Sequence, residues 1–161
     1  MNKVHLLTGG NMGDRVGNLD RAVHFLGQRV GPVVKASALY ETAPWGETNQ
    51  ATFLNQALLL ETTMAPLELL EVIMETEREL GRRRLLKNGP RIIDIDILFF
   101  GDLAMTTSRL VIPHPEIQNR RFALVPLAEI DPEFVHPVLN LTIRSLLERC
   151  ADSLEVKIFE G

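Results

Sequence analysis

Asp94 and Asp96 stand one residue apart in the run Arg91-Ile-Ile-Asp-Ile-Asp-Ile-Leu98, and five cations fall within the ten residues from Arg82 to Arg91. Two carboxylates on one side of an extended segment suit a hard divalent cation such as Mg2+, and arginines beside them suit phosphate oxygens held by bidentate hydrogen bonds. Residues 91 to 99 predict a β-strand, because β-branched and aromatic side chains dominate and a Gly89-Pro90 turn opens the run. Alternation along a strand puts Asp94 and Asp96 on one face and Ile93, Ile95, Ile97 and Phe99 on the other. The two Cα atoms are then roughly 7 Å apart, within reach of one or two shared cations. The same pattern also makes a solvated salt-bridge ladder, and this segment alone leaves both readings open.

The chain as a whole narrows the choice. Its 161 residues, 45% hydrophobic and 24% charged, suit one compact domain over residues 1–161 with a core of its own. The formal net charge of −4 makes the basic cluster local and argues against a nucleic-acid binder, so a small anionic ligand is expected. Cys150, alone in the chain, can form no internal disulfide and is expected to pack. The apolar run after Met1 is too short for a signal peptide, and no segment approaches the ~20 apolar residues of a membrane span. The expectation is a cytoplasmic monomer with neither membrane nor nucleic-acid partners.

The elements that must carry the acids follow in order. Val4 to Thr8 predicts a strand stopped by Gly9-Gly10, and Leu19, Val23, Leu26 and Val30 mark a helix ended by Gly31-Pro32, with Asp14 as its cap. The segment Gly9 to Asp14 before a helix lacks the Lys-Ser/Thr of a phosphate loop and reads as a turn. Val33 to Tyr40 and Phe53 to Thr62 predict two strands joined by a long, turn-rich loop of the kind that often carries function. Pro66 fits a first helical position, Leu67, Leu70, Ile73, Met74 and Leu80 mark one face, and Gly81 ends the helix. Further helices are expected near Arg121 to Ile130 and Leu141 to Cys150, flanking the rest. Strand, helix, strand, strand, helix, strand is the signature of an α+β, ferredoxin-like βαββαβ sandwich with helices on one face of an antiparallel sheet.

Five segments in register resemble one family. They are Tyr40-Glu-Thr42-Ala-Pro44-Trp-Gly46, Phe53-Leu-Asn55, Glu77-x-x-x-Gly81-Arg82, Gly89-Pro90-Arg91-x-x-Asp94-Ile-Asp96-Ile, and Pro113-His114-Pro-x-x-x-x-Arg120-x-Phe122-x-x-x-Pro126-Leu127. Together they look like the 6-hydroxymethyl-7,8-dihydropterin pyrophosphokinases of the folate pathway, over residues 1 to about 135. The resemblance implies a ferredoxin-like fold and transfer of pyrophosphate from ATP to the pterin hydroxymethyl oxygen, with Asp94 and Asp96 anchoring two Mg2+. It makes Arg82 and Arg91 the catalytic arginines, Arg82 belonging to a lid that closes over ATP. Arg82, Arg91, Glu77, Arg84, Ile97, Arg109, His114 and Arg120 would bind ATP, and Thr42, Pro44, Trp45, Phe53, Asn55 and Phe122 the pterin. Flat apolar walls and a few edge hydrogen bonds are what such a heterocycle needs, and Phe53 and Asn55 share a strand face to supply them. The chain departs from the pattern at Gly10, where serine is usual, at Met74, where some members carry a polar ATP contact, and at Asn88, where some have a tryptophan over the pterin. An RNA-recognition module and a two-metal phosphohydrolase are the competing readings.

Overall fold

The structure, a computed structural model, describes residues 1–43, 51–82 and 91–161. The elements run β1 (Asn2–Gly10), α1 (Arg15–Arg29), β2 (Val33–Ala36), β3 (Tyr40–Thr42), β4 (Phe53–Thr62), α2 (Pro66–Glu79), β5 (Asp94–Phe100), β6 (Met105–Thr106), β7 (Val111–Ile112), α3 (Arg121–Ile130), α4 (Ile143–Arg149) and β8 (Val156–Ile158). One sheet has the order β5-β1-β4-β3-β8, with β2 also on β4, and all its pairs are antiparallel. The strand carrying the two aspartates therefore lies at the sheet edge.

Local signals explain where the helices begin and end. The Asp14 carboxylate accepts the Gly17 N–H at 3.1 Å and caps α1. Pro66 opens α2, where it gives up no helical donor, and Gly81 follows with φ +96°, a conformation that favours glycine.

Helices cover both faces of the sheet: α1 and α2 share one face, as expected of the core, and the flanking C-terminal helices α3 and α4 cover the other. Val4, Leu6, Leu58, Leu60, Ile95 and Ile97 pack with Leu19, Leu26, Leu69 and Ile73 of α1 and α2. On the other face Leu7, Ala57 and Leu59 pack with Leu124 and Leu127 of α3 and Ile143 and Leu146 of α4. The cause is in β4, where Ala57 to Leu60 is continuously apolar, so each face must be hidden from water.

The face that Phe99 takes is a correction. Val4 pairs with Phe100, His5 with Phe99 and Leu6 with Ile97, which leaves Leu98 as an extra residue in a bulge. A bulge shifts the alternation, so Leu98 and Phe99 join the α3 face, away from Ile93, Ile95 and Ile97. Phe99 there packs between His5, Phe134 and His136, with ring centroids 4.7 to 5.6 Å away. The 33–40 strand is also split, because the Ser37 hydroxyl takes the Ala57 N–H at 2.9 Å in place of a ladder carbonyl. Arg91 to Ile93 precede β5 instead of belonging to it, and the short β6–β7 hairpin and β8 had no sequence signal.

Phe99→Ala should cost about 3–5 kcal/mol, the usual range for emptying an aromatic core position. Urea denaturation followed by circular dichroism measures this, and a loss below about 1 kcal/mol would place the ring outside the core.

Candidate active site

β5 brings the two acids to an opening at the sheet edge. Ile93, Ile95 and Ile97 point into the α1/α2 core, so Asp94 and Asp96 face the opposite side, toward the segment that enters α3. Two cavities meet at them. The first, of about 270 Å3, is lined by Thr42, Phe53, Asn55, Arg91, Arg120 and Phe122 together with Arg82, Asp94 and Asp96. The second, of about 470 Å3, is lined by Glu77, Ile97, Arg109 and His114 together with the same Arg82, Asp94 and Asp96. Pro44, Trp45 and Arg84 lie outside the described residues, as does Asn88.

Charge governs the junction. Arg82 donates to Asp94 Oδ1 and to Glu77 Oε2, both at 2.7 Å, and Arg91 reaches Asp94 Oδ2 at 3.2 Å. Arg82 is thus pinned inside the site by two carboxylates, and residues 83–90 of the expected lid lie outside the described residues. Burial works against its charge, but Asp94 and Glu77 more than offset this and raise its pKa. Glu77, 5% exposed, also accepts the Ile95 N–H at 2.8 Å. Burial nevertheless pushes its pKa up, with the Asp94 charge adding to the effect and Arg82 and the Ile95 N–H opposing it.

Asp96 is the least compensated acid. Burial in the cleft, then the neighbouring Asp94 charge, push its carboxyl up to about 8, while Arg120 pulls the other way. Arg120 stands over the Phe122 ring at 5.7 Å, and its buried Nε has no hydrogen-bond partner among the described residues. Three acids and three arginines therefore converge from α2, β5, the residue just beyond α2 and the approaches to β5 and α3.

The first cavity has the walls and edge groups for a flat heterocycle. The Asn55 Nδ2 donates to the Thr8 carbonyl at 3.3 Å. No hydrogen bond to its Oδ1 is formed among the described residues. Gly9 leaves room for this side chain, because a Cβ there would overlap the Asn55 amide. The Arg91 guanidinium lies 5.9 Å from the Phe53 ring centre. Gly9, Leu7 and Ala43 line this cavity and were missed by sequence reasoning; only the absence of a side chain at Gly9, at the end of a predicted strand, was a signal for a close approach.

The second cavity exploits the open strand edge. Because the Ile95 N–H points outward to Glu77, alternation turns the Ile97 backbone outward as well, into the cavity. His114 closes the far end, its N–H donating to the Leu98 carbonyl at 3.0 Å. Its Nδ1 accepts the Glu116 N–H at 3.1 Å, which leaves the proton on Nε2. Burial, and then Arg120, push its pKa down to about 4, so at neutral pH it is an uncharged donor. Arg109 sits at the outer rim, paired with Glu71. Met74 lines the wall of this cavity.

Comparisons with known proteins identify a family. Residues 5–132 match the family model for 7,8-dihydro-6-hydroxymethylpterin-pyrophosphokinase. The chain is 45% identical over 150 residues to 2-amino-4-hydroxy-6-hydroxymethyldihydropteridine pyrophosphokinase of Methylorubrum extorquens, covering 92% of this chain and 94% of that one. It is 41% identical over 144 residues to the protein of the same name from Aquifex aeolicus, covering 89% of each. Among solved structures, wild-type Plasmodium falciparum HPPK-DHPS with pteroate matches with a TM-score of 0.76 at 22% identity. That match covers 92% of this chain but 44% of the longer Plasmodium chain, and it speaks for the fold alone.

The raised Asp96 carboxyl fixes the sign of a pH effect. A carboxyl whose folded pKa lies above its unfolded value weakens the fold increasingly as pH rises from about 4 toward 8. Asp96→Asn should therefore raise the thermal midpoint of the ligand-free protein more at pH 8 than at pH 5, by about 2–4 °C per kcal/mol relieved. A midpoint lowered at pH 8 in scanning calorimetry would contradict this charge balance.

Proposed function

The chain belongs to the 7,8-dihydro-6-hydroxymethylpterin-pyrophosphokinase family, and from that premise we propose how its two cavities divide the work. The reaction moves pyrophosphate from ATP to the hydroxymethyl oxygen of 6-hydroxymethyl-7,8-dihydropterin, giving AMP and the pterin diphosphate, a step of tetrahydrofolate biosynthesis. The observation that carries the proposal is that both cavities share Arg82, Asp94 and Asp96. One substrate on each side of these groups brings the acceptor oxygen and the diphosphate to the same place.

The pterin takes the first cavity, with Phe53 and Phe122 as walls, Asn55 Oδ1 and Thr42 at its polar edge, and Pro44 and Trp45 added from the family pattern. ATP takes the second, contacted by Glu77, Ile97, Arg109 and His114, with Arg120 reaching its phosphates from the first cavity and Arg84 added from the family pattern. An uncharged His114 with its proton on Nε2 can donate to a phosphate oxygen without adding charge.

Asp94 and Asp96 fit magnesium of the kind that arrives with a nucleotide. Among the described residues no group of three or more His, Cys, Asp or Glu side chains could form a closed metal cage. Magnesium is commonly held by one or two carboxylates plus substrate phosphates, and the raised proton affinity of Asp96 is what an uncompensated cation site would show. Two magnesium ions there would neutralise phosphate charge and ease loss of the hydroxyl proton. The hydroxymethyl oxygen bonds to the β-phosphorus as the bond from that phosphorus to the α,β-bridging oxygen breaks, so no protein nucleophile is needed. Arg82 and Arg91, now on Asp94, are placed to turn onto phosphate oxygens and stabilise the charge that builds there.

The sheet order and wholly antiparallel pairing support a ferredoxin-like description of the βαββαβ core. The chain is read as one domain over residues 1–161, a monomer acting on small molecules in the cytoplasm with no nucleic-acid partner. A net charge of −4 favours that last point.

AMP formation from ATP and Mg2+ should require the pterin, and Asp94→Asn should lower it about 100-fold or more, equivalent to roughly 3 kcal/mol, while the variant stays folded by circular dichroism. Phosphate release from ATP alone would point instead to a hydrolase. Chelation by EDTA should abolish turnover, and added Mg2+ should restore it.

A further inference from the structure

Asn11 lines neither cavity, yet it ties together two parts of the first cavity's wall, the approach to Phe53 and Arg91. Its side chain is 5% exposed, and both ends of its amide are used. Nδ2 donates to the Ala51 carbonyl at 2.9 Å, and Oδ1 accepts the Arg91 backbone N–H at 3.0 Å. The Asn11 N–H also donates to the Arg91 carbonyl at 3.0 Å. Arg91 is thus gripped at both of its backbone polar groups by one residue. The neighbouring Gly10 permits this approach, because a Cβ there would overlap the Ile92 carbonyl oxygen.

What hangs on the two ends differs in chemistry. Ala51 leads within two residues to Phe53, a wall of the first cavity, while the Arg91 side chain reaches Asp94 at 3.2 Å and lies 5.9 Å from the Phe53 ring centre. We propose that Asn11 is a positioning residue for the transfer, setting the distance between the heterocycle wall and the arginine at the phosphates. The inference rests on the reading of the cleft given above. Alignment of acceptor and donor is sensitive to small displacements, with about 1 Å enough to cost on the order of 100-fold in rate. A buried amide that loses its role only as scaffold would instead lower stability and leave the chemistry of the folded fraction intact.

A double-mutant cycle separates these cases. Asn11→Ala should lower kcat about 10- to 100-fold in the otherwise native protein, with the KM for ATP and for pterin each changing less than about 3-fold. In an Arg91→Ala background the same change should lower kcat by less than about 3-fold, because the arginine through which Asn11 acts is gone. Gly10→Ala, which leaves Asn11 in place but pushes on Ile92, should reproduce the loss, and it stands in for Asn11→Ala should that variant not fold. Equal factors in both backgrounds, or an unchanged kcat, overturn the proposal while leaving the cleft reading intact. Full turnover in Arg91→Ala alone overturns both.

Discussion

Two carboxylates one residue apart on the same strand face repel each other, and burial in a cleft denies them the water that would screen the repulsion. The rest of the site is arranged around that constraint. Arg82 arrives from just beyond α2, Arg91 from the approach to β5 and Arg120 from the approach to α3, so compensation of the charge pins three parts of the chain to one point. Such buried ion pairs are weak contributors to stability, since desolvation offsets much of their attraction. Under the proposed reading, their concentration here prepares the cleft for ligands that bring phosphate for the arginines and cations for the acids.

The sheet edge is the second half of the design. An interior strand would have both sides occupied by neighbours, whereas β5 has β1 on one side and an open flank on the other. Glu77 answers the outward N–H of Ile95, the His114 segment pairs at Leu98, and the Ile97 backbone between them is left facing the second cavity. The acids project from one face of this strand while its backbone presents the edge. In the proposed reading, one short element serves a metal-bearing triphosphate with its face and the remainder of the same nucleotide with its edge.

Much of this was legible in the residues, where the governing physics is local. Asp14 as a cap, Pro66 and Gly81 as the ends of a helix, and the shared face of Asp94 and Asp96 follow from interactions within a few residues. Phe99 was misplaced because its face depends on a bulge against β1, a pairing that sequence alternation along β5 cannot register. The second layer of helices was only half visible: α3 and α4 were expected, but their place over the far face depends on which strands carry apolar residues on both sides. β8 and the β6–β7 hairpin are too short to show periodicity. Asn11 gave no signal at all, since its importance comes from the meeting of positions 11, 51 and 91 in space.

The account turns on what occupies the space between Asp94 and Asp96 when both substrates are bound. A crystal structure with Mn2+, a non-hydrolysable ATP analogue and the pterin, with data collected for manganese anomalous scattering, tests it directly. The account predicts anomalous peaks at ordinary metal–oxygen distance, about 2.0–2.3 Å, from carboxylate oxygens of both aspartates and from analogue phosphate oxygens. It also predicts the pterin beside Phe53 and Asn55. Peaks absent from the aspartates, or an analogue bound with Arg82 and Arg91 still locked on Asp94, would contradict it.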